Sequence, residues 1–206
     1  EQTSNLGGGT VWPLAQAETV AAAARAGDLA VHMDGARLLN ATCALGCDAA
    51  AFGRLCDSVW IDLSKGLGCP VGAVLAGGGD FIEEIWRWKQ RIGGAMRQAG
   101  ILAAAGLYAL DHHLPQLATD HANARTFATG IAALPDLTVD LEAVQTNIVY
   151  FHLPKHDAQA IVARLAEKGI DIGAMGPNTL RAVTHLDVTA ADIAQATEAL
   201  RQVLAG

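Results

Sequence analysis

The sequence has few basic residues and no long apolar run. Its 206 residues include 14 Lys plus Arg against 21 Asp plus Glu, which gives a formal net charge of -7. Proteins that bind a nucleic-acid backbone present clustered basic side chains, so nucleic acid is not an expected partner. Asp, Arg or Gly interrupts each apolar run before it reaches the roughly 20 residues that a membrane-spanning helix requires. No membrane association is expected either.

Cysteine is also scarce, and its spacing does not suit metal binding. The four residues are Cys43, Cys47, Cys56 and Cys69, with no CxxC pair and no histidine at ligand spacing. This pattern excludes the usual zinc motifs, so no metal site is expected. Reduced thiols are typical of the cytoplasm, which is the predicted location.

What the sequence does contain is a large apolar fraction, 51%, arranged in regular segments. In the first half, segments of helical period alternate with short β-rich runs, which is typical of an α/β domain with a largely parallel sheet. Helices are predicted at residues 14–25, 37–44 and 81–91, and strands at 29–33, 58–63 and 71–76. Residues 100–134 are predicted to be helical, with a break at 113–115.

The second half changes character after residue 133. Strands are predicted at residues 137–140, 147–153 and 179–184, and helices at 157–168 and 190–204. This mixture indicates a small α+β domain. We therefore predict a large domain with its connecting helix over residues 1–133 and a small C-terminal domain over residues 134–206.

Two charged residues, Asp34 and Arg37, follow the first predicted strand at a spacing of three. A carboxylate at such a position can hydrogen-bond the ring nitrogen of a pyridine cofactor and keep that nitrogen protonated. The structural alternative is that Asp34 caps the following helix and Arg37 is solvated. His32, on the strand itself, is interpreted as a residue that packs or hydrogen-bonds rather than as a base.

Lys65 lies between an apolar strand and a glycine-rich turn, residues 66–68. A lysine in this setting can be partly desolvated and can form a Schiff base with an aldehyde. The other three lysines each have an ordinary solvent-facing explanation. They are Lys89, Lys155 and Lys168. The alternative for Lys65 is a lysine that is simply exposed at the end of a strand.

Arg181 lies on a strand of alternating character in the small domain. Its planar guanidinium group could pair with a substrate carboxylate through two hydrogen bonds. His185, four residues later, is a candidate to orient it. The alternative is that Arg181 forms a surface salt bridge.

Four segments, in this order, resemble successive motifs of the low-specificity L-threonine aldolases, which are related to the beta-eliminating lyases. They are residues 32–38, 63–68, 93–100 and 181–185. The resemblance covers essentially the whole chain. Four motifs in a fixed order are far more specific than any one of them.

This resemblance implies an α/β fold of the aspartate-aminotransferase type (fold type I) that binds pyridoxal 5'-phosphate. In the family pattern, Lys65 forms the Schiff base with the cofactor and Asp34 contacts the pyridine nitrogen. Arg37 lies beside cofactor and substrate, Arg97 approaches the cofactor phosphate near a subunit interface, and Arg181 holds the substrate carboxylate. The family also implies an N-terminal segment before Glu1 that completes the large domain and supplies a phosphate loop and two histidines.

The implied activity is cleavage of threonine-like β-hydroxy amino acids to glycine and an aldehyde by a homo-oligomer, a dimer or tetramer. Two alternatives remain open at this point. Asp34 and Lys65 serve the cofactor rather than one particular bond, so another pyridoxal-phosphate reaction such as β-elimination would use them equally. The chain could also be a non-catalytic fragment that needs another chain to complete the site.

Overall fold

The computed structural model describes residues 1–205, which form two compact units. The first unit consists of Glu1–Thr3 and Trp12–Pro115, and the second consists of Ser4–Val11 and the chain from Gln116 onward. The predicted boundary near Ala133 thus differs from the observed division. The reason is that the helix Gln116–Ala132 packs against a strand and the last helix of the second unit.

Three strands form the sheet of the first unit. They are β1 (His32–Gly35), β2 (Ser58–Asp62) and β3 (Ala73–Gly77), in the order β1-β2-β3. β1 and β2 are parallel, whereas β3 is antiparallel to β2. A parallel neighbour requires a crossover, and helices between β1 and β2 supply it. The loop after β2 contains no helix, so the chain returns in the opposite direction and the sheet is less parallel than predicted.

β1 begins later than predicted and continues through Asp34. Its pairing with β2 places His32 opposite Ser58 and Asp34 opposite Trp60. Leu29, the first residue of the predicted strand, lies outside this ladder and is 64% exposed. The predicted strand therefore begins too early, because it includes an apolar residue that lies before the ladder.

Five helices belong to the first unit. They are α1 (Leu14–Ala26), α2 (Leu38–Leu45), α3 (Ala49–Gly53), α4 (Gly79–Arg91) and α5 (Gly100–His112). α1 follows Pro13, and α2 ends at Gly46, whose φ of 64° suits glycine. The sequence did not predict α3, a single short turn of helix capped by Asp48, which accepts a hydrogen bond from the Ala50 N–H at 2.9 Å.

The second unit is an α+β arrangement built on an antiparallel sheet. Its strands are β4 (Ile148–His152), β5 (Gly173–Ala174) and β6 (Thr179–Val183), in the order β4-β6-β5, and its helices are α6 (Gln116–Ala132), α7 (Ala158–Ala166) and α8 (Ala190–Ala205). The predicted strand at 137–140 is reduced to one bridge between Thr138 and His152. The short strand β5 was not predicted.

The main hydrophobic core lies in the second unit, where α6 and α7 pack against the sheet and α8 packs against both helices. Phe127 and Phe151 meet there edge to face, with ring centroids 6.1 Å apart. The first unit has a smaller core around Leu63, Leu67 and Ala109. No helix within residues 1–205 combines the length and apolar character needed to cross a membrane.

Candidate functional site

The parallel pairing of β1 with β2 brings two of the predicted site residues to one edge of the first sheet. Asp34 is the third residue of β1, and Lys65 follows β2. The carboxyl ends of parallel strands lie at the same edge, where ligands commonly bind in open α/β sheets. Asp34 lies opposite Trp60 in the ladder, so Asp34, Trp60 and Asp62 lie on the same face of the sheet.

Asp34 is half-buried and closes the turn after β1. Its Oδ1 accepts a hydrogen bond from the Ala36 N–H at 3.0 Å. Arg37, not Asp34, stands at the N-cap position of α2. The carboxylate therefore does not cap this helix.

The turn at Gly35 is tightly packed against β2. A Cβ at this position would lie 2.4 Å from the backbone oxygen of Trp60 and 3.3 Å from the Leu38 Cβ. Only glycine fits such an approach without displacing backbone. The position of Asp34 relative to β2 thus depends on the absence of a side chain at its neighbour.

Lys65 lies in the loop after β2, with its side chain 36% exposed. The buried residues Leu63 and Leu67 anchor the loop on both sides of it. The Gly68 N–H donates to the Lys65 carbonyl at 2.8 Å, and Gly68 has a φ of 68°. This turn holds the backbone of Lys65 while its long side chain stays partly accessible.

Asp62 contacts Lys65, although it was not among the residues predicted for the site. Its Oδ2 lies 2.9 Å from Lys65 Nζ, and its Oδ1 accepts hydrogen bonds from the Ser64 N–H at 2.8 Å and the Ser64 hydroxyl at 2.7 Å. Burial acts to raise the pKa of the Asp62 carboxyl, but the hydrogen bonds from Lys65 and Ser64 outweigh it and hold this pKa below its ordinary value. An acidic residue three positions before a lysine is the sequence signal that could have identified it.

Arg97 lies between α4 and α5, in a stretch that is exposed throughout. Its side chain forms no hydrogen bond or ion pair with the residues that the structure describes. The role of Arg97 at the cofactor phosphate therefore stays a prediction.

Arg181 belongs to the second unit, on β6, directly opposite Tyr150 of β4. Its Nη1 donates to the Asn5 side-chain oxygen at 2.8 Å. Its Nε and the Tyr150 hydroxyl are buried and have no hydrogen-bond partner within residues 1–205. Arg181 is half-buried and forms no ion pair with a described residue, unlike the surface salt bridge that was the alternative.

Asn5 and Tyr150 were also missed by the sequence analysis. Asn5 is separated from Arg181 by 176 positions, so no local pattern joins them. His185, the predicted orienting residue, instead lies 3.5 Å from Asp187. His32 bonds the Ser58 hydroxyl at 2.8 Å through Nδ1, in agreement with its interpretation as a hydrogen-bonding residue.

Comparison with known proteins identifies a matching family and several relatives. The sequence profile of the beta-eliminating lyase family matches residues 1–154. The low specificity L-threonine aldolase of Escherichia coli (strain K12) is 40% identical over 178 residues, which are 86% of this chain and 52% of that protein. Low-specificity L-threonine aldolase 1 of Arabidopsis thaliana is 36% identical over 196 residues, or 94% of this chain and 55% of that protein.

The fold has a solved counterpart. A putative L-allo-threonine aldolase from Listeria monocytogenes superimposes with a TM-score of 0.82 at 22% identity, covering 98% of this chain and 59% of that one. The chain thus spans about half the length of the curated relatives it matches. The likeness confirms the predicted α/β fold of the aspartate-aminotransferase type, followed by an α+β part.

Proposed function

The chain belongs to the beta-eliminating lyase family, and from that premise we propose that the complete protein is a pyridoxal-phosphate-dependent aldolase. Its substrates are threonine, allo-threonine and similar β-hydroxy amino acids, which it cleaves to glycine and an aldehyde. The names of the Escherichia coli and Arabidopsis thaliana relatives support the substrate class. The observation that carries the proposal is the pairing of β1 with β2, which brings Asp34 and Lys65 to one sheet edge.

The side chains at this edge fit the cofactor in their chemistry. An amine at Lys65 can bond an aldehyde carbon, and a carboxylate oxygen of Asp34 can accept a hydrogen bond from a protonated ring nitrogen. Arg37, at the start of α2, adds a positive charge for an anionic group. When bound, the cofactor supplies a ring that accepts the electrons of the broken Cα–Cβ bond.

Asp34 and Lys65 have different tasks in the proposed reaction. Lys65 would hold the cofactor covalently through its side-chain amine. Asp34 keeps a proton on the ring nitrogen, because a carboxylate beside that nitrogen stabilises the protonated form. A protonated ring is the better electron acceptor, so Asp34 determines how readily the bond breaks.

Arg181 and Arg37 are proposed to bind the substrate carboxylate. The geometry of a guanidinium group matches the two oxygens of a carboxylate, and the Nε of Arg181 has no partner among residues 1–205. Fixing the carboxylate orients the Cα–Cβ bond of the substrate. The same orientation decides which of the bonds at Cα breaks, and hence the choice of aldol cleavage over elimination.

The proposal extends to assembly and location. We propose a homo-oligomer, a dimer or tetramer, because α4 and α5 expose large apolar side chains such as Trp86 at 55%, Ile101 at 74% and Leu107 at 64%. Uncovered apolar patches of this kind commonly mark association surfaces. The cytoplasm is the proposed location, supported by four cysteines that form no disulfide within residues 1–205.

Product analysis with L-threonine tests the reaction. The complete protein, loaded with pyridoxal phosphate, should release glycine and acetaldehyde in equal amounts. Release of 2-oxobutanoate instead would show β-elimination and contradict the aldolase assignment.

The Lys65→Ala variant tests whether Lys65 is the residue that bonds the cofactor. This variant should lose the visible absorption band of the bound cofactor, because no other amine replaces Lys65, while its circular dichroism stays unchanged. Lys89→Ala is the matched control, since Lys89 lies on α4 and is exposed. A Lys65→Ala protein that keeps the band and full activity would overturn the assignment.

A further inference from the structure

The geometry points to a further residue in this site, Asp62. We propose that Asp62 is a positioning residue whose carboxylate holds the ammonium group of Lys65 in the cofactor-free protein and thereby restrains its reaction with an aldehyde. The inference rests on the proposed role of Lys65 as the amine that bonds the cofactor. Asp62 gives that amine a charged partner, which lies on the same face of the sheet as Asp34.

Two groups from one face of β2 contact the Lys65 side chain. Asp62 and Trp60 are two positions apart on this strand, so their side chains project from the same face. Lys65 Nζ lies 2.9 Å from Asp62 Oδ2 and 5.4 Å from the centroid of the Trp60 ring. Lys65 is therefore folded back over the strand that precedes it, with a carboxylate and an aromatic face as its neighbours.

Asp62 is itself fixed in place. Its side chain is 13% exposed, and its Oδ1 accepts both the N–H and the hydroxyl hydrogen bonds of Ser64. One oxygen thus ties Asp62 to the loop and the other, Oδ2, contacts Lys65. The same hydrogen bonds hold the pKa of the Asp62 carboxyl below its ordinary value, so the group is ionised at neutral pH.

An ammonium group cannot react with an aldehyde directly, because its nitrogen has no free electron pair. Lys65 must first release a proton; its nitrogen then attacks the aldehyde carbon, the C–N bond forms and the carbonyl oxygen leaves as water. Ammonium and aldehyde together give a protonated imine and one water, so no oxidant or reductant is required. A carboxylate in contact with the ammonium stabilises the starting form and lowers the fraction of reactive amine.

The test measures the reactivity of each lysine in the full chain without cofactor or substrate. Trace acetic anhydride would label the wild type and Asp62→Asn across a range of pH, with the extent at Lys65, Lys89 and Lys168 read by peptide mass spectrometry. In Asp62→Asn, labelling of Lys65 at neutral pH should rise about fivefold, as expected for loss of a partly exposed ion pair.

Two controls separate the ion pair from general effects. Asp136→Asn removes the carboxylate 2.6 Å from Lys155 on the surface and should leave Lys65 unchanged. Lys89 lies 5.5 Å from the centroid of the Trp86 ring without an ion pair among the described residues, so it reports an aromatic contact alone. Labelling of Lys89 should be equal in all three proteins.

Unchanged labelling of Lys65 in a folded Asp62→Asn protein would overturn the inference. If that variant does not fold, the wild type supplies the measurement, because salt screens the ion pair and should raise labelling of Lys65 relative to Lys89. No response to salt would then overturn it. Neither result depends on cofactor binding, so failure here is distinct from retention of the cofactor band by Lys65→Ala, which would contradict the proposed function.

Discussion

Replacing Gly35 by alanine should disturb the sheet edge that carries Asp34. The new Cβ would stand 2.4 Å from the Trp60 carbonyl oxygen and 3.2 Å from a methyl carbon of Val59. The first distance is shorter than any normal carbon–oxygen contact, and its partner is backbone rather than a flexible side chain. Relieving this steric clash therefore requires β1 to move away from β2, and Asp34 moves with it.

The expected cost follows from the kind of atom that must move. Overpacking a filled site usually costs about 1–3 kcal/mol. Here the neighbouring strand must shift, so we expect the upper end of that range, about 3 kcal/mol. Total stabilities of domains are only about 5–15 kcal/mol, so this loss is a large share. With a urea m-value of roughly 2 kcal/mol/M, the unfolding midpoint should fall by roughly 1.5 M.

Urea denaturation followed by circular dichroism measures this change, and Gly53→Ala provides the control. Gly53 is the last residue of α3, and a Cβ there meets nothing within 4 Å. Alanine is the better helix former, so Gly53→Ala should be neutral or stabilising by up to about 1 kcal/mol. If Gly35→Ala unfolds at the wild-type midpoint, the close approach of β1 and β2 at this residue is wrong.

Two further predictions concern the second unit. Arg181→Lys in the complete enzyme should raise the KM for threonine about tenfold, because an ammonium group cannot match both carboxylate oxygens; unchanged steady-state kinetics would refute the role. Burial, the largest effect, raises the pKa of Asp120, and the Gln116 hydrogen bond and the charge of His185 offset this only in part. Since the fold then favours the protonated acid, its contribution to stability is present at acid pH and is lost as pH rises through the raised pKa. Urea unfolding of Asp120→Asn at pH 4 and pH 7 should show a smaller loss of stability with rising pH than the wild type, and an equal loss would count against this.

The helices and the order of elements were predictable because they depend on local signals. Residues 14–25 were predicted as a helix and α1 spans Leu14–Ala26, since Pro13 and Gly27 bound an uninterrupted run of helix-forming residues. α3 was missed because five residues are too few to show a period. The predicted strand at 137–140 failed for a different reason, since a single bridge to His152 is all the pairing it finds.

The candidate site likewise contains residues that local sequence signals could predict and contacts that only the folded chain creates. Asp34 and Lys65 could be proposed as site residues because each follows a predicted apolar strand, a pattern that one sequence displays. The contact of Asp62 with Lys65 depends on how the loop after β2 folds back, and no residue type encodes that turn alone. In the sequence, Asp34 and Asp62 each precede a basic residue by three positions. Only the structure shows that Asp62 forms an ion pair with Lys65.

The second unit illustrates why a domain boundary cannot be read from a change in composition. Residues 4–11 belong to it, although they precede the first helix of the other unit. They contribute the Asn5 side chain to Arg181, and the Gly9 carbonyl accepts a hydrogen bond from the buried Thr146 hydroxyl at 2.7 Å. A piece that begins at Gln116 would lose both of these hydrogen-bond partners. The second unit is therefore completed by a segment from the start of the chain, and the orientation of Arg181 depends on that segment.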